Sequence, residues 1–329
     1  MDTEKLDVAP LVSVAMTTYN GEKYLRKQLE SVFSQTYTNI EVIVSDDCSE
    51  DNTVAILEEH RHKNGLQYSV NDSNLGFVRN FEKVISLCSG DYIALADQDD
   101  IWLPEKIETL VNEIGNYSLI YSDAFLIDEH DTCIPGSLME ISGAKPVNGR
   151  QFEYFVCNSC ITGCTAMFKR ELVPIALPIP SCETFHDWWL SVVASRQRGV
   201  KYLDRKLVQY RQHGNNFTGA NVKTGIVSRI MAHLRKETMQ EKMDYYRLLE
   251  NRATNYLNMR ERLGLTDGDM CFLRDIREYA VSLLDPRFHI SSFLLAWKLR
   301  KWLFPSAKGI EKFVFVFSKL VNKLGNNVK

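Results

Sequence analysis

The sequence predicts an α/β protein, with a mostly parallel sheet flanked by helices and an α-helical C-terminal extension. In roughly the first hundred residues, short β-rich runs alternate with amphipathic helical segments. This alternation is typical of a parallel sheet with helices on both faces. After about residue 220 the chain is polar, with helical periodicity and few β-strand signals.

Four strand–helix units account for the first part of the chain. Local signals set three helix ends: Ser49 is a predicted N-cap of the second helix, Gly90 closes the third, and Pro104 lies near the start of the fourth. The predicted strands are LVSVAMTTY, IEVIVSDD, LQYSVND and DYIALADQD, and the helices after them are GEKYLRKQLESVFSQT, SEDNTVAILEEHRHKNG, GFVRNFEKVISLCSG and LPEKIETLVNEIG.

The pattern is looser from about residue 118 to 215. SLIYSDAFLID and ITGCTAMFKRELV are predicted strands, HDWWLSVVASRQRG a helix, and VKYLDRKLVQYRQH a pair of strands. Residues 222–284 predict long amphipathic helices, and LDPRFH a turn before the last forty residues. We therefore expect one domain over residues 1–219 and a helical region over residues 220–329.

Composition and charge exclude several classes of protein. The net charge of −3 argues against nucleic-acid binding. The N-terminus, MDTEKLDVAP, lacks a secretory pattern, and no apolar run reaches the roughly 18 residues of a membrane-spanning helix. We expect a cytoplasmic protein whose eight cysteines are reduced. Neither a Walker A loop nor GxGxxG is present, which disfavours nucleoside triphosphatases and dinucleotide-dependent dehydrogenases.

Three cysteines have a spacing that resembles half of a zinc site. Cys157 and Cys160 form a C-x₂-C pair, and Cys164 follows. No matching second pair lies at a suitable distance, and the segment also predicts a buried strand. We therefore favour buried thiols over zinc ligands.

Polar clusters follow the first, second and fourth predicted strands, where ligands bind in parallel sheets. Asp97 and Asp99 form a D-x-D at a strand end, so both carboxylates are expected on one side. Such a pair suits Mg²⁺ or Mn²⁺ together with phosphate oxygens of a substrate; the alternative is a solvated loop. Asp46 and Asp47 are suited to a base edge or a ribose, or equally to turn and helix-cap chemistry.

Two later motifs add candidate catalytic groups. In HDWW, Asp187 lies beside aromatic residues, where partial desolvation raises the pKa of a carboxylate and suits a general base. The alternative is an N-cap with two core tryptophans. In YRQHGNN, His213 is a candidate metal ligand and Arg211 a candidate phosphate contact, the alternative being a polar surface loop.

The last forty residues are basic and aromatic. Eight lysines and arginines stand against Glu311, with Trp297, Trp302 and several phenylalanines interleaved. Such segments place one face in an anionic membrane surface. The alternative is a helix that packs on its own domain or on a second subunit of a homodimer.

Seven stretches together resemble family 2 glycosyltransferases of the GT-A fold, especially bacterial rhamnosyltransferase-like members of polysaccharide assembly. They cover roughly residues 10–216 in the family's order, and no motif can be placed after about residue 220. The stretches are VSVAMTTYNGEKYLRKQLESVFSQTY, EVIVSDDCSEDNT, NLGFVRNFEKVI, GDYIALADQDDIWLPEKI, ITGCTAMFKREL, HDWW and YRQHGNN.

The resemblance implies a role for each candidate residue. Asp187 is implied as catalytic base, although His186 stands where the family commonly has Glu. The implied nucleotide contacts are Thr17, Tyr19, Asp47, Arg79 and Asp97; the implied metal ligands are Asp99 and His213; contacts to acceptor or diphosphate are expected from Asp100, Trp102, His186, Trp188 and Arg211.

The implied activity is transfer of a sugar with inversion, using Mn²⁺ or Mg²⁺, from a nucleotide-sugar donor to a glycan or lipid-linked acceptor at the inner face of the cell membrane. The resemblance favours dTDP-rhamnose, and UDP-hexoses are the alternative. Two other functions use the same features. A metal-dependent nucleotidyltransferase or sugar-nucleotide hydrolase needs the carboxylates without an acceptor base, and a non-catalytic module would use the helices and tail to recruit partners.

Overall fold

The computed structural model describes residues 9–213, 239–285 and 290–305, and its centre is a nine-stranded mixed sheet. The strands are β1 Val12–Thr18, β2 Ile40–Asp46, β3 Gln67–Val70, β4 Tyr92–Ala96, β5 Ile101–Trp102, β6 Leu119–Ile127, β7 Cys133–Ile134, β8 Ala166–Lys169 and β9 Val200–Arg211.

Twelve α-helices are found in the described residues, with two short 3₁₀ turns at Gly163–Thr165 and Arg170–Leu172. The helices are α1 Leu25–Phe33, α2 Thr53–Asn64, α3 Phe77–Leu87, α4 Lys106–Ile114, α5 Leu138–Ser142, α6 Phe152–Cys157, α7 Val173–Ala176, α8 His186–Arg196, α9 Met239–Leu257, α10 Arg260–Leu263, α11 Asp267–Leu284 and α12 Ile290–Leu303.

The sheet order is β3-β2-β1-β4-β8-β6-β9-β5, with β7 on β6. Strands β3, β2, β1 and β4 are parallel, as the strand–helix alternation predicts. Strand β8 lies between β4 and β6 and is antiparallel to both. The carboxyl ends of β1, β2 and β4 therefore lie at one edge, and the polar clusters that follow these strands meet there.

Side chains that alternate along the strands belong to two apolar cores, one on each face of the sheet. In β4, Ile93 and Leu95 belong to one core and Ala94 and Ala96 to the other. Since side chains alternate along a strand, helices must cover both faces. This confirms the predicted α/β class.

Three local predictions were wrong. Ser49 does not cap α2, because its hydroxyl donates to Asp46 Oδ2 (2.6 Å). Helix α3 ends before Gly90, and the glycine is needed there because a Cβ would lie 2.7 Å from Leu11 O. The predicted strand pair over residues 200–213 is one strand, β9, whose central residues form an irregularity against β6.

The described helices of the C-terminal part pack on one of the two apolar cores of the sheet. Leu249 of α9 and Ile276 of α11 share one apolar cluster with Phe155 and Trp189. The predicted domain boundary at 219/220, most of the LDPRFH turn and residues 306–329 of the basic tail lie outside the described residues. None of the described helices has both the length and the hydropathy to cross a bilayer.

All eight cysteines are free thiols. Cys157, Cys160 and Cys164 are buried, and the thiol of Cys160 lies 3.2 Å from the hydroxyl of Tyr121. Burial raises the pKa of Cys157 to about 12, which disfavours the thiolate that a zinc site requires.

Candidate active site

An acidic turn follows β4 at the carboxyl edge of the sheet. Ligand atoms of Asp97, Asp100 and Cys164 lie within 4.8 Å of one another. Burial, and then the charges of Asp100, Asp99 and Asp187, raise the pKa of Asp97 well above its usual range. The acids predicted from two distant motifs therefore belong to one electrostatic cluster.

The two residues predicted as metal ligands lie together at this turn. His213 Nε2 is 2.8 Å from Asp99 Oδ2. The imidazole stacks on Tyr24, with ring centroids 5.2 Å apart. The sequence reading missed Tyr24, because one aromatic residue before an amphipathic helix carries no specific pattern.

Asp100 and Trp102 lie beneath the turn with buried side chains, and their predicted contact to acceptor or diphosphate stays a prediction. Asp100 is 1% exposed and accepts a hydrogen bond from the backbone N of Arg211 (3.0 Å). Trp102 is 2% exposed, and Lys106 Nζ lies 3.3 Å from its ring centroid. Both side chains support the site from inside.

Lys106 is a buried cation that the sequence reading missed. Its ammonium donates to the backbone O of Cys164 (2.6 Å). Burial lowers the pKa of Lys106 to about 7, opposed by the charges of Asp100 and Asp97. Burial, with the charge of Asp99, raises the pKa of Asp100 to about 7. Lys106 therefore offsets part of the negative charge beneath the turn.

Replacing Lys106 with methionine should destabilise the protein by about 3–5 kcal/mol near pH 7, because it removes the hydrogen bond to Cys164 O and the partner of the buried carboxylates. Urea unfolding measures this, with the partly exposed Lys201→Met as control. A loss no larger than that of the control would show that Lys106 does not support the turn.

Arg211 contacts the turn from below, and its predicted contact to acceptor or diphosphate stays a prediction. The residue is 1% exposed. Its Nε donates to the backbone O of Asp99 (2.7 Å), and Nη1 donates to the backbone O of Asp128 (2.9 Å) and pairs with Asp131 Oδ1 (2.5 Å). The guanidinium thus fixes the backbone that carries Asp99.

Asp187 lies at the start of α8 and is half-buried. Its Oδ2 accepts a hydrogen bond from the backbone N of Gly163 (2.8 Å), and Oδ1 accepts one from its neighbour Trp188 (2.7 Å). Burial raises the pKa of Asp187 to about 6, against these hydrogen bonds. A carboxylate with this pKa is suited to accept a proton near neutral pH.

Gly163 is required beside Asp187. A Cβ at this position would lie 2.9 Å from His186 Nε2 and 3.7 Å from Asp187 Oδ2. The sequence reading missed it, although a glycine inside a predicted strand is a sign of close backbone approach.

The neighbours of Asp187 are held by aromatic groups. The His186 ring is 1% exposed and stacks on Phe81, with centroids 3.6 Å apart. Burial lowers the pKa of His186 to about 3, so the imidazole is neutral. Trp188 is half-buried, and its Nε1 donates to the backbone O of Phe155 (2.6 Å). His186 is thus buried beside Asp187, and its predicted contact to acceptor or diphosphate stays a prediction.

The predicted nucleotide contacts differ in their exposure and in the hydrogen bonds that they make within the protein. Thr17 is 8% exposed and Tyr19 49% exposed, so the Tyr19 ring is accessible for stacking. Asp47 is buried and accepts hydrogen bonds from the backbone N of Leu75 (2.7 Å) and of Gly76 (2.9 Å). Asp47 therefore holds the loop before α3 in place.

Two further side chains lie on this flank. Arg79 pairs with Glu82 (2.5 Å) and donates to the backbone O of Ile179 (2.8 Å). Gln98, which the sequence reading did not select, accepts from Tyr19 N (2.8 Å) and donates to Tyr19 O (3.0 Å). Gln98 thereby joins the end of β1 to the acidic turn.

The side chains at the turn are of the types that a hard divalent cation binds, and they form two groups: Asp97 with Asp100 and Cys164, and Asp99 with His213. Asp97 and Asp99 offer carboxylate oxygens and His213 an imidazole nitrogen, which are ligands that Mg²⁺ and Mn²⁺ accept. Burial, and then the charges of Asp100 and Asp99, raise the pKa of Asp97, and a bound cation would oppose both effects. Cys164 is a poor ligand for such an ion, because burial raises the pKa of its thiol well above the usual range.

The sequence was compared with known families and proteins. The family described as "Glycosyl transferase family 2" matches residues 13–173. The chain is 33% identical over 226 residues to the dTDP-rhamnosyl transferase RfbG of Shigella flexneri, covering 63% of this chain and 74% of that protein. It is 35% identical over 211 residues to an uncharacterized glycosyltransferase of Methanocaldococcus jannaschii, covering 61% and 71% respectively.

Two solved structures share the fold. A fragment of S. aureus TarS in complex with UDP-GlcNAc superposes with a TM-score of 0.57 and 15% identity, over 95% of this chain and 88% of that one. The mannosyltransferase PcManGT of Pyrobaculum calidifontis, in complex with GDP-Man and Mn²⁺, gives a TM-score of 0.50 and 13% identity, over 97% and 88%. At these identities the likeness concerns the fold alone.

Proposed function

Since the chain belongs to glycosyl transferase family 2 and is therefore an enzyme, we propose that it is a metal-dependent, inverting hexosyltransferase. In this proposal it transfers rhamnose from dTDP-rhamnose to a hydroxyl of a lipid-linked or polysaccharide acceptor in cell-surface glycan synthesis. The observation that carries the proposal is the half-buried carboxylate of Asp187 at the start of α8, held by hydrogen bonds from Gly163 N and Trp188 N; its raised pKa supports the same role.

The reaction is a single displacement at the anomeric carbon. Asp187 accepts the proton of the acceptor hydroxyl as its oxygen attacks, and the bond from the anomeric carbon to the diphosphate oxygen breaks on the opposite face. The configuration inverts, and the nucleoside diphosphate leaves with the electron pair. Hydrogen bonds from Gly163 N and Trp188 N hold the carboxylate in one orientation, which such a base needs.

Asp99 and His213 would hold the divalent cation, with Asp97 toward the diphosphate and ribose. When bound, the cation offsets negative charge on the leaving diphosphate. Arg211 and Lys106 then act from beneath: Arg211 fixes the backbone of Asp99, and Lys106 lowers the net charge of the turn. Tyr19 and Thr17 border the proposed nucleotide site, and Asp47 shapes its wall.

The donor assignment is supported by the printed function of the Shigella relative, a dTDP-rhamnosyl transferase. UDP-hexoses are the second candidate, because the TarS structure that shares the fold holds UDP-GlcNAc. Incubating the enzyme and Mn²⁺ with dTDP-rhamnose, UDP-GlcNAc or UDP-glucose and isolated lipid-linked glycans distinguishes them. We expect transfer from dTDP-rhamnose, with an inverted anomeric configuration by NMR; product from UDP-hexoses alone would refute the donor assignment.

The same assay separates the rival reactions. A sugar-nucleotide hydrolase consumes donor at the same rate with or without acceptor, and a nucleotidyltransferase releases pyrophosphate from a nucleoside triphosphate. A transferase that uses Asp187 as its base requires the acceptor. Donor consumption independent of acceptor would therefore replace our proposal.

We propose that the helical region places the enzyme at the inner face of the membrane as a peripheral protein. On α12, Leu294 and Trp297 are 61% and 41% exposed, and Arg300 stacks on Trp297 at 4.3 Å. Basic residues near an anionic surface contribute about 1 kcal/mol each. A second copy of the chain is the other candidate to cover this face.

Cosedimentation with phosphatidylglycerol vesicles tests this placement. We expect binding that weakens with salt, and that Leu294→Glu/Trp297→Glu reduces it several-fold. Leu87→Glu, at a 49% exposed position of α3, serves as control. Binding that the double substitution leaves unchanged, or a concentration-dependent dimer that it disrupts, would refute a lipid-facing helix.

A further inference from the structure

A fully buried ion pair joins the helical region to the segment that carries Asp187. Arg252 of α9 lies 2.8 Å from Glu183 Oε2, and neither side chain is exposed. Tyr256, one turn later on α9, donates its hydroxyl to Glu183 Oε1 (2.5 Å). Removing two charges from water is costly, and replacing such a pair with apolar residues is often neutral for stability. Fold stability alone therefore does not explain it.

The same guanidinium also contacts Trp188, the residue that follows Asp187 in the chain. Arg252 Cζ lies 3.6 Å from the centroid of the Trp188 ring. Trp188 is fixed in turn by its hydrogen bond to Phe155 O (2.6 Å). Arg252 thus contacts Glu183, which precedes His186 and Asp187, and Trp188, which follows them. It therefore bridges the two ends of the segment 183–188.

We propose that Arg252 is a positioning residue for Asp187, and that α9 completes the active site by clamping residues 183–188. This inference rests on the proposed function, in which Asp187 is the base. The clamp orients the carboxylate and does not contact substrate, because Arg252 is fully buried. Its loss should therefore lower kcat and leave donor affinity unchanged.

A second ion pair provides a matched control. Arg196, at the opposite end of α8, lies 3.1 Å from Asp269 of α11, with side chains 11% and 8% exposed. It joins α8 to the same helical region and also lies over an aromatic ring, that of Phe152 (5.4 Å). It is remote in sequence from Asp187, so it reports the cost of loosening the helical region alone.

The experiment compares Arg252→Met/Glu183→Met with Arg196→Met in the full-length protein. The measurements are kcat, KM for the acceptor, Kd for the nucleoside diphosphate with Mn²⁺, and Tm. We expect the double variant to keep its Kd within about twofold and to lose about 10²-fold in kcat, the scale of a small misplacement of a catalytic group. Arg196→Met should keep kcat within about threefold under the same principle.

Arg252→Lys serves if the double variant does not fold. Lysine keeps the charge and loses the planar stacking on Trp188, so we expect a folded protein with reduced kcat. Wild-type kcat in the double or Lys variant would overturn the clamp, as would an equal kcat loss in Arg196→Met. An active Asp187→Asn enzyme would instead refute the proposed base, which separates the two failures.

Discussion

Replacing Asp187 with asparagine is expected to lower turnover by about 10²–10⁴-fold, the usual contribution of a positioned general base. Asparagine keeps the size of the side chain, but its one amide oxygen can accept from only one of Gly163 N and Trp188 N, which reach different oxygens of Asp187. Donor affinity should be nearly unchanged, because the substitution leaves the acidic turn intact. Single-turnover rates and calorimetric donor binding measure the two quantities, and turnover near that of the wild type would remove Asp187 from the mechanism.

The pH dependence of the wild type provides an independent check of the same group. The base is active only when deprotonated, and burial raises the pKa of Asp187 to about 6. Thus kcat should fall as pH drops through about 6 and level off above it. The exposed Asp204→Asn variant should retain this profile, since Asp204 lies on the outer part of β9. A flat profile from pH 5 to 8 would contradict a base with this pKa.

Replacing Asp99 with alanine is expected to abolish the effect of Mn²⁺ on donor binding. The substitution removes a proposed ligand and leaves the backbone O that accepts from Arg211 Nε. Loss of an outer-shell partner alone typically costs about 10–100-fold in metal affinity, so loss of a ligand should cost at least that much. Donor titrations with Mn²⁺ and with EDTA measure the change.

His213→Gln tests the other half of this pair. The imidazole lies 2.8 Å from Asp99 Oδ2, so its loss should weaken Mn²⁺-dependent donor binding in the same direction. Asp204→Asn is again the control. If wild-type donor affinity is the same with Mn²⁺ and EDTA, the metal site itself is refuted, whatever the variants do.

Sequence patterns located the acidic turn and Asp187 but not the direction in which each side chain points. The alternation of strand side chains predicts that Asp97 and Asp99 face one side, yet β4 ends at Ala96, and ligand atoms of Asp97, Asp100 and Cys164 lie within 4.8 Å of one another. Trp102 and Arg211 are residue types that often contact ligands, but both side chains are buried. Residue type shows what a side chain can bind, and the packing of neighbouring elements decides whether it reaches solvent.

The residues that the sequence reading missed act through contacts distant in sequence. Lys106 donates a hydrogen bond to Cys164, 58 positions later in the chain. Arg252 pairs with Glu183, 69 positions earlier. Gly163 differs, because a glycine within a predicted strand could have indicated its close approach to His186. Local periodicity contains no information on which distant segments meet.

By itself the sequence determined the α/β class, the parallel half-sheet and the edge where the acids gather, since these follow from local hydrophobic periodicity and from the order of strands along the chain. Only the tertiary structure decided which acids lie close together, which buried cation offsets their charge, and that helix α9 contacts the segment that carries Asp187. The physical reason is that burial and charge pairing depend on distances between segments far apart in the chain, and these distances exist only once the sheet and helices have packed.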